Sequence, residues 1–207
     1  MSTLPALQWR YSIKHFSNRR VPKQHIHNII EAARLSASSY GLQPYQVWII
    51  EDPEILSLLS KHAFNQPQLR ECSHLLVLAN QTNITDQIVD QYFERYYEQT
   101  QHKIGSLAGY ADHIKSAIAA KNHQERQVWA QQQAYIALGS LLTEAAMLGV
   151  DTCPMTGFDN LAFNQVLKFE QKKLNACVIC AVGYREASYE PPGKVRIPSQ
   201  DFAKFIA

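Results

Sequence analysis

Cysteine is scarce in this chain: four in 207 residues, too few for a disulfide scaffold. Neither sign of charge prevails. Lys and Arg number 20 and Asp and Glu 18, a formal net charge of +2. No overall field therefore draws the chain to nucleic acid or to an anionic membrane, and any basic site must be local. Long apolar runs are also missing. The longest, such as "LLVLA" and "ACVICAV", fall far short of the roughly 20 residues that span a bilayer as a helix. The opening "MSTLPALQWR" has no charged segment leading into an apolar one, so no signal peptide is expected and a cytoplasmic protein is.

Several chemical signatures are absent as well. No GxGxxG follows a strand and no Walker A motif occurs, which leaves ordinary dinucleotide and P-loop sites unsupported. HExxH and GxSxG are missing, and with them the usual marks of zinc peptidases and α/β-hydrolases. Eight scattered histidines show no metal-ligand spacing, and no metal is expected. Cys177 and Cys180 form a CxxC, but "LNACVICAVGY" is apolar and β-branched and reads as a buried strand. Positions three apart on a regular strand face opposite ways. The two thiols are therefore expected to diverge and to serve as core.

What is present is a globular balance, 46% hydrophobic and 18% charged, over a length that predicts one domain spanning 1–207. Ile26, Ile29, Ile30, Ala33 and Ala37 recur at helical spacing over 22–39, with Pro22 suited to the first turn. "YQVWII" (45–50) and "HLLVLAN" (74–80) read as strands. Asp52 caps a predicted helix over 52–63, with Pro53 at its first position. A polar, tyrosine-rich helical region follows. A long helix over 125–149 then has Val128, Tyr135, Leu138, Leu142 and Ala145 on one face and Gly149 as its stop. Asp159 precedes another helix, and 174–184 is the most apolar strand. Helices separating apolar strands predict a three-layer α+β domain. A Pro/Gly-rich tail, about 185–207, cannot build a core of its own.

Polar side chains collect at loop positions. Arg10, Ser12 and Lys14 lie two apart, so an extended backbone aims them together, as a phosphate site requires. A solvated basic face gives the same pattern. Ser38, Ser39 and Gln43 sit at a helix-to-strand break; "PMTG" (154–157) and "GKVRIP" (193–198) follow late in the chain. A nucleic-acid-binding module built on Arg10, Lys14, Arg19 and Arg20 is a further reading, opposed by the near-neutral charge and the lack of a recognition motif.

"RYSIKHF", "SASSYGLQPYQVWII", "FNQPQLRECSHLLVLA", "PMTGFD" and "GKVRIP", in that order, resemble the FMN-dependent nitroreductases of the oxygen-insensitive NAD(P)H type. The resemblance implies a mixed, mostly antiparallel central sheet flanked by helices, in an intertwined homodimer with FMN at the interface. The long helix would then lie between subunits, and the tail would wrap the partner. It implies that Arg10, Tyr11 and Ser12 help hold the FMN phosphate, that Lys14 reaches the flavin, and that Lys194 and Arg196 close on the phosphate. Asn65 and Gln68 would lie by the flavin pyrimidine edge, and Pro154, Met155, Thr156 and Gly157 along the isoalloxazine. Ser38, Ser39 and Gln43 would approach from the partner subunit.

The activity implied is ping-pong transfer from NADPH or NADH through FMN to nitroaromatics, quinones or other flat acceptors, with no dedicated catalytic side chain. Dehydrogenase, dehalogenase and flavin-modifying branches of the same superfamily are the alternatives. Two positions depart from the family pattern. Gln68 stands where relatives often carry lysine, and Thr156 where well-known relatives carry glutamate.

Overall fold

Four apolar stretches pair into one sheet: β1 (Tyr45–Ile50), β2 (His74–Gln81), β3 (Asp151–Met155) and β4 (Leu174–Gly183), in the order β1-β2-β4-β3, every pair antiparallel. The computed structural model describes residues 2–206. Ser12 adds an isolated parallel bridge to Thr152 at the β3 edge, so the sheet is mixed but mostly antiparallel. The central strands β2 and β4 are buried on both faces, which is why they read as unbroken apolar runs rather than alternating ones.

Helices cover both faces. On one side α3 (Pro53–Lys61), α4 (Pro67–Glu71) and α8 (Asn160–Val166) bring Leu56, Leu59, Leu69 and Phe163 onto Leu75, Val77 and Ile179. On the other, α2 (Lys23–Arg34) and α7 (His123–Met147) bury Ile29, Ala33, Ala137 and Leu141 against Leu76, Leu78 and Val182. A third cluster joins α5 (Asp86–Gln99) and α6 (Ala108–Ala119) to the first half of α7 through Phe93, Ile114 and Trp129. Two short helices, α1 (Leu4–Trp9) and α9 (Ser199–Phe202), stand near the ends of the chain. The architecture is the expected three-layer α+β arrangement.

Local chemistry sets the helix ends. The Asp52 carboxylate accepts the Glu54 and Ile55 N–H groups at 2.8 and 3.1 Å, and Asp159 caps α8 through Ala162 N–H at 3.1 Å. α7 opens with a capping box between Asn122 and Glu125. It closes in a Schellman turn: Val150 N–H donates to Ala145 carbonyl at 2.8 Å and Gly149 N–H to Ala146 at 3.1 Å, with Gly149 at φ +65°.

Three sequence expectations need correction. α2 ends at Arg34 rather than continuing to 39, because Leu35 turns the chain toward the Ser38–Gln43 break. The expected face of α7 is split: Leu138 and Ala145 are buried with Trp129, Ala130, Ala134, Ala137 and Leu141, while Val128 and Tyr135 are exposed. Two clusters press on this helix at different points along it, so no single stripe marks its buried side. Cys177 and Cys180 do not diverge; both pack against the α2/α7 cluster. The register slips between Leu78 and Ala79, Cys177 is the unpaired residue, and that bulge shifts the alternation by one position. The thiols remain core residues, with no disulfide and no metal-holding cluster among the described residues.

Candidate functional site

α1 stops at Trp9, and Arg10 leaves it in an extended conformation, φ −58° and ψ 141°. The next residues lie along β3: Ser12 bridges Thr152, and Ile13 N–H donates to the Thr152 carbonyl at 3.3 Å. Ile13 and Phe16 are buried in the core, which anchors the arm. Alternation then turns Ser12 and Lys14 away from that core. Arg10 donates to the Ser12 hydroxyl at 3.2 Å.

The tail returns to the same place. Arg10, Tyr11, Ser12 and Lys14 share a cavity of about 290 Å³ with Lys194 and Arg196, almost the whole chain away. Lys194 is fastened to the end of α1 by hydrogen bonds to the Leu7 and Gln8 carbonyls at 2.7 and 2.6 Å. A larger hollow of about 570 Å³ beside Trp129 and Glu125 has no comparable gathering of cations.

This cavity is electrostatically one-sided. Among the described residues, none of Arg10, Lys14, Lys194 and Arg196 has a carboxylate within ion-pair distance. Burial and the nearby Arg10, Arg196 and Arg185 push the Lys194 ammonium below its ordinary pKa. Arg10 Nε is buried with no hydrogen-bond partner. Like charges gathered this closely repel one another, and an anion seated here relieves that repulsion. The residues therefore fit a phosphate group.

From the cavity the site runs along β3. The Lys14 ammonium lies 3.6 Å from the Cys153 thiol. Burial raises the pKa of that thiol and Lys14 partly offsets the rise, so it stays a thiol at neutral pH. Next come Pro154 and the buried Met155, then Thr156 and Gly157, both exposed. Phe64 and Asn65 sit in left-handed backbone at φ +57° and +54°, held by Asn65 N–H on the Ser60 carbonyl at 2.9 Å. Consecutive left-handed residues without a glycine are costly and tend to occur at ligand clamps.

A glutamine pair joins this loop to the strip. Gln66 donates to the Gly157 carbonyl at 3.0 Å, and Gln68 donates to Gln66 at 3.1 Å and to the Met155 sulfur at 3.4 Å. Gln68 is buried, whereas Thr156, the other departure, is exposed. Gln66 was not singled out from the sequence; the only signal was its place between Asn65 and Gln68 in "FNQPQ".

The model of the Nitroreductase family matches residues 7–184. A Staphylococcus haemolyticus protein named "Putative NAD(P)H nitroreductase" is 32% identical over 219 residues, covering 97% of this chain and 95% of the relative. The chain belongs to the nitroreductase family. Solved structures agree on the nitroreductase fold. A Bacillus subtilis nitroreductase matches with a TM-score of 0.89 at 19% identity, covering 98% of each chain. An Exiguobacterium sibiricum protein described as a "putative nitroreductase in complex with FMN" matches with a TM-score of 0.85 at 19% identity, covering 100% of this chain and 98% of the other.

One group of sequence candidates is expected to act from the partner subunit. Ser38, Ser39 and Gln43 do not reach the cation cavity or the β3 strip of their own chain. Ser39 N–H donates to Gln133 on α7 at 2.8 Å, and the Gln43 amide to the Arg34 carbonyl at 2.7 Å. Gln43 and Tyr40 are left-handed at φ +46° and +55°, a second strained turn remote from the first. Of the remaining candidates, Arg10, Tyr11, Ser12, Lys14, Lys194 and Arg196 share the cavity, and Gln68 contacts Met155 on β3.

Proposed function

We propose that this nitroreductase-family protein is an FMN-dependent oxidoreductase that oxidises NADPH or NADH and reduces flat acceptors such as nitroaromatics and quinones. The observation that carries the reading is the cavity of four cations without a carboxylate partner, which Lys14 links to Cys153 on β3. When bound, FMN supplies the redox chemistry, taking hydride from the nicotinamide and passing reducing equivalents on in ping-pong order.

The chain's own residues bind and orient. Arg10, Ser12, Lys194 and Arg196 hold the phosphate, with Tyr11 in the cavity wall. Arginine suits this because its planar fork makes paired, charge-assisted bonds. Lys14 spans from cavity to strip. Asn65 and Gln68 serve the pyrimidine edge, since an amide carries both donors and an acceptor. Pro154, Met155, Thr156 and Gly157 would form the surface on which the ring system rests, with the backbone N–H groups of Thr156 and Gly157 as its donors. No side chain is assigned proton transfer.

The functional unit in this reading is a homodimer. The single domain 1–207 leaves apolar side chains on α7 exposed, among them Val128, Tyr135, Ile136 and Met147. The tail carries Val195, Phe202 and Phe205 almost bare. Both surfaces suit contact with a second copy, and the partner's copy of the Ser38–Gln43 turn would then complete the site.

Steady-state turnover tests the reading. The full chain with FMN is expected to consume NADPH or NADH with a nitroaromatic or quinone acceptor and to give parallel double-reciprocal lines. Failure to oxidise either nicotinamide with any acceptor of the panel contradicts it.

A further inference from the structure

Arg185 is the cation at this end of the protein that does have a carboxylate. Its Nε lies 3.0 Å from each oxygen of Asp151, a second guanidinium nitrogen bonds the same carboxylate, and its backbone N–H donates to it at 2.8 Å. Its other face is covered: the guanidinium carbon stands 4.5 Å from the centre of the Trp9 ring. Asp151 is 3% exposed. A guanidinium held by a carboxylate on its edge and an indole on its face has little freedom left.

The sequence neighbours of these groups give the arrangement its consequence. Trp9 immediately precedes Arg10. Asp151 immediately precedes Thr152, which carries the bridge to Ser12 and the bond to Ile13. Arg185 follows Tyr184 just after β4 and opens the tail that delivers Lys194 and Arg196. One side chain thus ties together the arm and the tail that line the cavity and the strand that holds the arm in place. Asp151 also neutralises a cation that would otherwise add to the crowd around Lys194, where Arg185 is already felt.

We propose that Arg185, clamped by Asp151 and stacked on Trp9, is a positioning residue that fixes Arg10 toward the cavity and thereby sets the protein's preference for phosphorylated over unphosphorylated flavin. The inference rests on the FMN reading above. None of the three residues lines the cavity, so their effect reaches the phosphate only through Arg10 and the tail.

Flavin titration of the full chain, freed of bound flavin, tests this with FMN and riboflavin as the two probes. The native chain binds FMN more tightly than riboflavin. Arg185→Lys keeps the charge but loses the fork and the stack. It should lower the FMN-to-riboflavin affinity ratio by about tenfold, the worth of one charge-assisted hydrogen bond, with riboflavin binding unchanged. Trp9→Leu keeps an apolar cover without the π face and should lower the ratio in the same direction; it decides the matter alone if Arg185→Lys does not fold. A parallel loss for both flavins, or an unchanged ratio, overturns the positioning role and leaves the FMN reading standing. A native chain that does not prefer FMN to riboflavin overturns the phosphate reading itself, and the inference with it.

Discussion

The ammonium of Lys194 lies 2.6 Å from the carbonyl of Gln8, so the tail is fastened to the end of the first helix, beside Arg10. That contact turns two weak sequence patterns, one at each end of the chain, into one cavity. It also separates the cations of the N-terminal arm. Arg20 is half-exposed and 3.7 Å from Glu51, and Arg19 lies over the Tyr184 ring at 4.1 Å. Neither lines the cavity.

Arg10→Ala should therefore weaken FMN binding by about ten- to a hundredfold, the range for losing bonds to a charged group. Arg20→Ala should leave it unchanged. Fluorescence titration with FMN checks both, and equal effects from the two variants would undo the assignment.

Gln68 is buried beside Met155 and bonded to Gln66, at the position where the family resemblance implies a cation. Negative charge gathers on the pyrimidine side of a reduced flavin, and a nearby cation stabilises it. Gln68→Lys should raise the FMN potential, by on the order of 30 mV for each factor of ten in the two-electron equilibrium. A redox titration that finds the potential unchanged or lowered counts against this placement of Gln68.

His74 makes stability depend on pH. Burial and the nearby Arg20 lower its pKa from the usual 6.5, against the opposing pull of Glu51. The Glu51 carboxylate, 3.3 Å from Nε2, can only accept, so the neutral ring carries its proton on Nε2 and its Nδ1 accepts from the Ser73 hydroxyl at 2.9 Å. The unfolded chain takes up this proton first as pH falls. The stability due to neutral His74 is thus complete above about pH 6.5 and declines as acid carries the solution toward the lower folded value. Urea unfolding at pH 7.5 and 5.5 should show the loss, and His74→Gln should reduce it. A variant with the same pH slope as the native chain would assign the effect elsewhere.

Tyr96 and Tyr97 are both half-buried and both pack near Phe93, at 6.3 and 6.2 Å, and differ in what their hydroxyls hold. The Tyr97 hydroxyl accepts the Leu107 N–H at 2.9 Å, and its ring packs 6.2 Å from the buried Phe93. Tyr96 bonds only toward His102, itself exposed. Tyr97→Ala should cost about 2 kcal/mol through lost packing and an orphaned N–H, and Tyr96→Ala about 1 kcal/mol or less. Denaturant midpoints measure both. A stable Tyr97→Ala with altered acceptor preference would mark this segment as a lid instead.

The parts of the fold legible in the sequence are those set by local composition. β1, β2 and β4 announce themselves as apolar runs, and Asp52, Asp159 and Gly149 mark helix ends through chemistry confined to a few residues. α1 and α4 are too short to show a period. The buried side of α7 is decided by two separate clusters, and the bulge at Cys177 breaks the alternation that a strand reading assumes. In the site, the convergence of Arg10, Ser12 and Lys14 follows from their spacing. The meeting of Lys194 with Gln8, the pairing of Asp151 with Arg185 and the Gln66–Gly157 link depend on tertiary structure. Residue types alone could not place them.

The most direct test of the account is the visible spectrum of the purified full chain. A yellow protein with flavin bands, releasing FMN on heating, is the predicted result. A colourless protein that takes up no FMN when it is supplied contradicts the proposed site and the activity built on it.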